Sequence, residues 1–179
     1  MNKTKVFETD RLILRPFKFS DAEDMFKNYT NNENVCKYLT WRPHGKLENT
    51  VGYLQNFVLP RYEKENELIW AIELKETGEV IGNFDVNTWK ENLSRMTIGY
   101  VLSEDYWGQG IIPEAGNTII PYLFSLGAER IEAWHDVRNP KSGRVMQKIG
   151  MKHEGTLRKY DRNWSGELVD AEIYSIIKD

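Results

Sequence analysis

From Tyr100 to Leu126 the chain reads YVLSEDYWGQGIIPEAGNTIIPYLFSL, and no other stretch restricts the fold as strongly. An apolar run, Thr97-Ile98-Gly99-Tyr100-Val101-Leu102, has the composition of a strand. It leads into a short turn, Trp107-Gly108-Gln109-Gly110-Ile111-Ile112, which opens into a helix begun by Pro113 and Glu114. A strand delivered through glycines onto a helix N-terminus makes an anion cradle. The first-turn N–H groups have no partners inside the helix, and the helix dipole favours negative charge there. Gly108 and Gly110 lack side chains, so a phosphate can approach the main chain closely. With each charge-assisted N–H bond contributing about 1.5–3 kcal/mol, three or four hold a pyrophosphate without a lysine. A plain strand-to-helix connection would use the same glycines for conformation alone. A P-loop is excluded, because no Lys-Ser/Thr pair follows Gly110. A dinucleotide fingerprint would place Ala115 at the third glycine and need Glu132 or Asp136 as its ribose-binding acid.

The 179 residues suit a single domain, residues 1–179 with a core over about 9–177. Lys and Arg number 24 against 27 acidic residues, a formal net charge of −3, which argues against a protein built mainly for nucleic acid. Cys36 has no second cysteine to pair with, which fits a reducing compartment. The opening MNKTKVFETDRLILRPF holds no signal-peptide core, and no apolar run is long enough to span a bilayer. The expectation is a soluble, cytoplasmic protein with no membrane partner.

In chain order, Arg11 to Phe17 reads as a first strand ended by Pro16. Ser20 with Glu23 reads as a capping box for a helix carrying Ala22, Met25, Phe26 and Tyr29 on one face. Thr30 to Lys46 is polar and irregular, and Trp41, Pro43 and His44 there could line a substrate mouth or plug the core edge. A second helix spans about Leu47 to Lys64, interrupted by Pro60. Strands at 68–74 and 80–86 flank a hairpin turn containing Gly78, and with the strand before the cradle they make an antiparallel meander. The cradle helix buries Ile112, Ala115, Ile119, Leu123 and Leu126, bends at Pro121 and stops at Gly127. Arg130 to His135 is a strand parallel to the one before that helix. Asn139-Pro140 opens a short helix with Val145, Met146 and Ile149 inward, and two strands around Asn163 to Gly166 end the chain. The fold class is α/β: a mixed, mostly antiparallel sheet of about seven strands with about four helices.

Tyr106-Trp107-Gly108-Gln109-Gly110, then Pro113-Glu114-Ala115, then Asn139-x-x-Ser142 and Lys148-x-Gly150-Met151, together resemble GNAT N-acetyltransferases. Arg11-Leu12-x-Leu14-Arg15 narrows the resemblance to the RimJ/RimL-like branch, which includes ribosomal-protein N-terminal acetyltransferases. The resemblance covers nearly the whole chain and implies the acyl-CoA N-acyltransferase fold. It implies that acetyl-CoA is the cosubstrate, with no metal, and that N–H groups from about Gln109 to Ile112 grip its pyrophosphate, with Trp107 in the first place of the turn motif. Ile112 departs from the Gly or Ala that usually ends that motif. It further implies that main-chain groups of Tyr100, Val101 and Leu102 pair with pantetheine like an added strand. Asn139 matches a pantetheine-bonding position, and equally an N-cap without a ligand; Ser142 matches a position that protonates the departing CoA thiolate. Arg144 and Lys148 meet nucleotide phosphates or form a solvated face.

Acetyl transfer needs a neutral amine, yet an α-amino group has a pKa of about 8 and a lysine about 10.4. A carboxylate taking that proton contributes about 10²–10⁴-fold. Many relatives carry a glutamate where this chain has Thr97. Asp161, at a position where similar sequences hold an acid, is the leading replacement; Asp85 and Glu104 follow, then Tyr160 and His135. The resemblance implies direct attack in a ternary complex on behalf of a peptide N-terminus or a small-molecule amine, and is compatible with a homodimer. Two other readings stand beside it: a CoA-binding regulatory module without catalysis, and a protein for a different nucleotide.

Overall fold

Alternating apolar residues build the sheet, and the computed structural model, which describes residues 3–64 and 67–179, shows what covers each face. The strands are β1 (Phe7–Glu8), β2 (Leu12–Arg15), β3 (Ile69–Leu74), β4 (Val80–Lys90), β5 (Arg95–Leu102), β6 (Arg130–Asp136), β7 (Lys152–Arg162) and β8 (Leu168–Ile177). They form one sheet in the order β1-β2-β3-β4-β5-β6-β8-β7. All pairs are antiparallel except β5 with β6, as the helical crossover between them requires. The seven expected strands are present, and the two-residue β1 is the eighth.

The helices are α1 (Ala22–Met25), α2 (Glu33–Cys36), α3 (Leu47–Tyr53), α4 (Ile111–Ser125) and α5 (Pro140–Lys148). One face of the sheet packs Leu12, Trp70, Phe84, Met96 and Ile98 against Ala115, Ile119 and Leu123 of α4 and Met146 of α5. The opposite face packs Ile69, Ala71 and Val80 against Ala22, Met25, Tyr29, Leu54 and Val58. The sheet is therefore covered on both sides, and consecutive residues of β5 face different helices.

The expected second helix is divided in three: α3, a π-helical turn at Leu54–Val58 and a 3₁₀ turn at Leu59–Glu63 containing Pro60. Pro60 has no N–H to donate, so the regular ladder cannot continue. The Ser20 capping box does not form. Ser20 lies inside a 3₁₀ turn, and Asp21 instead accepts from Lys18 N–H at 2.7 Å while holding Nη1 and Nη2 of Arg15 at 2.8 and 2.9 Å. A buried arginine demands a carboxylate partner, and that demand fixed the local geometry. Helix α4 starts at Ile111, two residues before Pro113, and runs through Pro121 to Ser125. Trp41 is partly buried against the second core rather than open at a mouth. Strand β4 continues past the expected end at residue 86 to Lys90.

Candidate active site

The cradle is built from two left-handed glycines. Gly108 and Gly110 both have φ of 77°, a conformation costly for any residue with a Cβ, and Gly110 is the N-cap of α4. Among the described residues no group accepts a hydrogen bond from the N–H groups of Gly108, Gln109, Gly110, Ile111 or Ile112; the first bond of the helix is Glu114 N–H to Gly110 O at 3.0 Å. Ile112 is buried, so its side chain turns inward and leaves the N–H at the helix head. The turn is braced from the other end of the chain. Arg11 donates from Nη1 to Gln109 O at 3.0 Å and from Nε to Glu114 at 2.7 Å. Thr9 Oγ1 and Arg11 N–H also donate to Glu114, at 2.5 and 3.1 Å. Burial would raise the Glu114 carboxyl, but these bonds outweigh it and hold it below its usual range.

Strands β5 and β6 pair only over Arg95–Thr97 and Arg130–Glu132, and then part. Ser94 O accepts from Glu129 and Arg130 N–H, and Ser103 N–H donates to Ile81 O. By strand alternation, even-numbered residues of β5 aim their main chain at β6 and odd-numbered ones at β4. Tyr100 and Leu102 thus present main-chain groups to the gap, beyond the last residue paired with β6. Val101 between them pairs with Asn83 of β4, and its side chain packs on the α1/α3 side. Trp107 donates its indole N–H to Leu102 O at 3.0 Å, tying the turn to the gap, and Lys141 Nζ lies 5.2 Å from its ring centroid.

On the α4/α5 face, the Tyr100 hydroxyl lies 2.9 Å from Ser142 Oγ and donates to Ser142 O at 3.0 Å. Burial raises the Tyr100 phenol well above its ordinary value, against the opposing Ser142 bond, so it stays protonated. Asn139 is the N-cap of α5, but its side chain makes no capping bond, so that amide is available to a ligand. Behind Ser142, Gly143 packs so tightly that an added Cβ would stand 2.6 Å from His135 Nε2 and 3.1 Å from the Tyr174 hydroxyl. His135 is buried, with Nδ1 on Asp136 O at 2.8 Å, and serves as packing behind the serine. Arg144 and Lys148 are exposed on the outer face of α5.

The acids separate by place. Asp161 is exposed on β7, two strands beyond β6, and accepts from Arg162 N–H at 2.7 Å. Its hairpin reaches the α1/α3 side, where Tyr160 meets the Trp134 ring at 5.3 Å and Trp164 N–H donates to Leu39 O at 3.2 Å. Glu104 binds the Asn34 and Asn32 amides, which hold its carboxyl low and fasten α2 to the strand end. Thr97 donates to Glu132 at 3.3 Å, and Glu132 is shared with Arg95 and Arg130. Asp85, on β4 opposite Gly99, has a side chain only 13% exposed, and burial pushes its carboxyl up to about 6 despite Arg61 at 3.4 Å.

Residues 11–152 match the acetyltransferase (GNAT) domain family. The uncharacterized N-acetyltransferase YoaA of Bacillus subtilis (strain 168) is 33% identical over 174 residues, 97% of each chain. The chain belongs to the GNAT acetyltransferases. It is accordingly an acetyl-CoA-dependent acyltransferase, and the family's reaction calls for an amine acceptor. Among solved structures, the ribosomal-protein-S5-alanine acetyltransferase of Vibrio fischeri is 26% identical, with a TM-score of 0.83 over 98% of this chain and 97% of that one. The microcin C7 self-immunity acetyltransferase MccE, solved with acetyl-CoA and AMP, shares the fold at a TM-score of 0.84 and 24% identity over 95% and 94% of the two chains. The unpaired N–H groups at the head of α4 and the parted strands fit the pyrophosphate and the amide-bearing arm of acetyl-CoA. Among the described residues no cluster of His, Cys, Asp or Glu could hold a metal ion, and no helix is long and apolar enough to cross a membrane.

Two features of this GNAT site escaped the sequence. Arg11 and Glu114 stand in separate motifs, and only the fold reveals them as one brace. An open cavity of about 520 Å³ on the α3 side, lined by Tyr53, Phe57, Arg61, Glu67, Asn87 and Trp89, carries no motif at all.

Proposed function

We propose that the protein moves the acetyl group of acetyl-CoA to a primary amine, either a protein N-terminal α-amine or a small-molecule amine, by direct attack in a ternary complex. The observation that carries this is the parting of β5 from β6 between an unmatched helix head and the Tyr100–Ser142 pair. Acetyl-CoA supplies an activated thioester. The N–H groups of Gly108 to Ile112, with Trp107 beside them, hold its phosphates; Tyr100 and Leu102, on either side of Val101, offer a strand-like edge; Asn139 offers an unbonded amide. Ser142, kept in place by Tyr100, gives a proton to the departing sulfur. A carboxylate on the opposite side takes the proton of the amine, with Asp161 at the rim of the β7–β8 hairpin and Asp85, held by the cavity-wall residue Arg61, as the two candidates.

The likeness to the S5-alanine enzyme of Vibrio fischeri and to the [ribosomal protein uS5]-alanine N-acetyltransferase of Escherichia coli supports the RimJ/RimL-like branch. We read the chain as one catalytic domain acting in the cytoplasm, where Cys36, buried as a free thiol, stays reduced; the family resemblance extends to a homodimer. Thermal unfolding with acetyl-CoA, CoA, ATP and NAD tests the reading. A ligand at 100 times its Kd adds about 2.7 kcal/mol, or about 5–11 °C for a chain of this size. Shifts with the CoA species alone, followed by thiol release with an amine panel, are the expected result. A CoA shift without turnover on any amine would favour a regulatory module, to which the loss of a glutamate at Thr97 lends support. A larger shift with ATP or NAD would overturn the assignment.

A further inference from the structure

Asn87, on the wall of the α3-side cavity, lies against Gly99 of β5, next to where the strands part. Gly99 lies on β5 just past the last residue paired with β6, and its side-chain position faces away from α4 and α5. Two polar groups of β4 occupy the space a side chain would fill: Asn87 Nδ2 stands 2.5 Å, and Asp85 Oδ1 3.0 Å, from the position of an added Cβ. Neither Asp85 Oδ1 nor the Asn87 amide makes a hydrogen bond among the described residues. Asn87 also lines the cavity. Arg61 donates to Val86 O at 3.0 Å, lies 3.3 Å from Glu67 and reaches only Oδ2 of Asp85, at 3.4 Å, so Asp85 keeps Oδ1 free beside Gly99.

The walls have a definite chemistry. Tyr53 and Phe57 stack at 6.1 Å with an interplanar angle of 22°, and Phe57 is 67% exposed. Among the described residues one guanidinium, Arg61 on the wall, stands against two carboxylates, Glu67 beside it on the wall and Asp85 behind it, leaving an excess of negative charge. Aromatic faces beside surplus carboxylate attract organic cations. We propose that this cavity is the acceptor site, that Asp85 takes the proton the attacking ammonium must lose, and that the site selects a small amine carrying a second positive charge. The proposal rests on the acetyl-transfer reading above.

The protons and bonds balance. The ammonium gives one proton to the Asp85 carboxylate, and the freed nitrogen lone pair forms the C–N bond. The C–S bond breaks with its electron pair on sulfur. The nitrogen's remaining excess proton replaces the one that Ser142 passes to that sulfur. Donor and acceptor thus meet from opposite faces of one gap, with Ser142 on the α5 side and Asp85 on the α3 side. Burial places the Asp85 carboxyl near 6, with Arg61 opposing; Tyr53 is the other titratable group facing it, from α3, and Glu67, before β3, shares Arg61 with it. It is therefore ionised at neutral pH and more basic than an exposed aspartate.

The test compares 1,5-diaminopentane, 1-aminopentane and a peptide beginning with alanine, at equal concentrations of free-base amine, by thiol release. Calorimetric titration of each amine into the CoA-bound protein supplies a readout independent of turnover. The diamine is expected to bind and react at least about tenfold better than either alternative. Asp85→Asn is expected to lose about 100-fold or more in kcat/KM, to lose the acid limb near pH 6, and to keep the thermal shift with CoA; Asp85→Glu should restore part of the rate. Phe57→Ala, at an exposed position that folding tolerates, is expected to weaken diamine binding without changing the CoA shift. Equal use of the monoamine or peptide, or a larger loss in Asp161→Asn than in Asp85→Asn, would overturn the proposal while leaving the enzyme reading intact. Absence of both a CoA shift and turnover would overturn the two together.

Discussion

Removing the Arg11 side chain is expected to weaken acetyl-CoA binding more than it harms the fold. Arg11→Ala deletes the bond to Gln109 O and the paired contacts to Glu114, while Glu114 keeps Thr9 and the residue 11 N–H and is not orphaned. The arginine side chain is 44% exposed, so solvent screens the pair. An exposed ion pair contributes up to about 1 kcal/mol, and a charged donor on a carbonyl about 1.5 kcal/mol before that screening. The sum is about 2 kcal/mol, or about 4–8 °C in melting temperature. The part held in the Gln109 bond acts on the cradle itself. If about 1.4 kcal/mol of it orders the turn, the Kd for CoA rises about tenfold. Ground and transition states use the cradle alike, so KM for acetyl-CoA should rise with kcat nearly unchanged. Calorimetry on Arg11→Ala and Arg11→Lys, with melts of each, measures both terms. A lower melting temperature with an unchanged Kd would show that Arg11 merely ties the N-terminal segment to α4, and would refute the brace.

Other outcomes follow from the same geometry. Gly143→Ala drives a Cβ to 2.6 Å from His135 Nε2, and overpacking of this kind costs about 1–3 kcal/mol; the melt should fall by several degrees, and kcat should fall with it because Ser142 shifts. Hydrogen exchange read by NMR should show the Tyr100 and Leu102 amides exchanging fast in the free protein and slowing with acetyl-CoA, whereas Gly99 and Val101, turned toward β4, are slow in both. Glu154 is held down to about 2, first by Arg130 and then by Ser175. Its stabilisation is complete above the unfolded value of about 4.5 and is lost as pH falls toward 2. Melts of Glu154→Gln should therefore decline less than the parent between those two values, and an identical decline would remove this pair from the acid response.

The sequence made the central meander readable because each of its strands carries an alternating or apolar run between turn residues. It made the cradle readable because glycine spacing before a helix has few uses. It could not show which arginine of Arg11-x-x-x-Arg15 did what. Arg15 ends β2 and Arg11 stands just before it, yet Arg15 is buried between Asp21 and Glu73 and Arg11 reaches over to α4. The misread Ser20 cap has the same origin, since a local motif yielded to a buried charge whose need appears only in three dimensions. Asp161 was favoured by analogy from similar sequences. Asp85 needed the register of β4 against Gly99, a long-range fact that no local pattern carries.

The gap in the sheet explains why chemistry sits where it does. Strand β5 is bonded along its length to β4, and β6 is bonded to β8 over seven residues, so each is anchored on its far side. Giving up parallel pairs beyond Thr97 and Glu132 therefore loosens neither strand. It does expose main-chain groups along the inner edges, and a buried one left unpaired costs about 1–3 kcal/mol. A ligand bearing amides along an extended arm would satisfy the same groups. What keeps the gap from collapsing on the α5 side is Tyr100 reaching across to Ser142. The contact that holds the strands apart is thus also the one that fixes the Ser142 hydroxyl, and on the proposed mechanism a change that closes or widens the gap is expected to disturb proton transfer as well as binding.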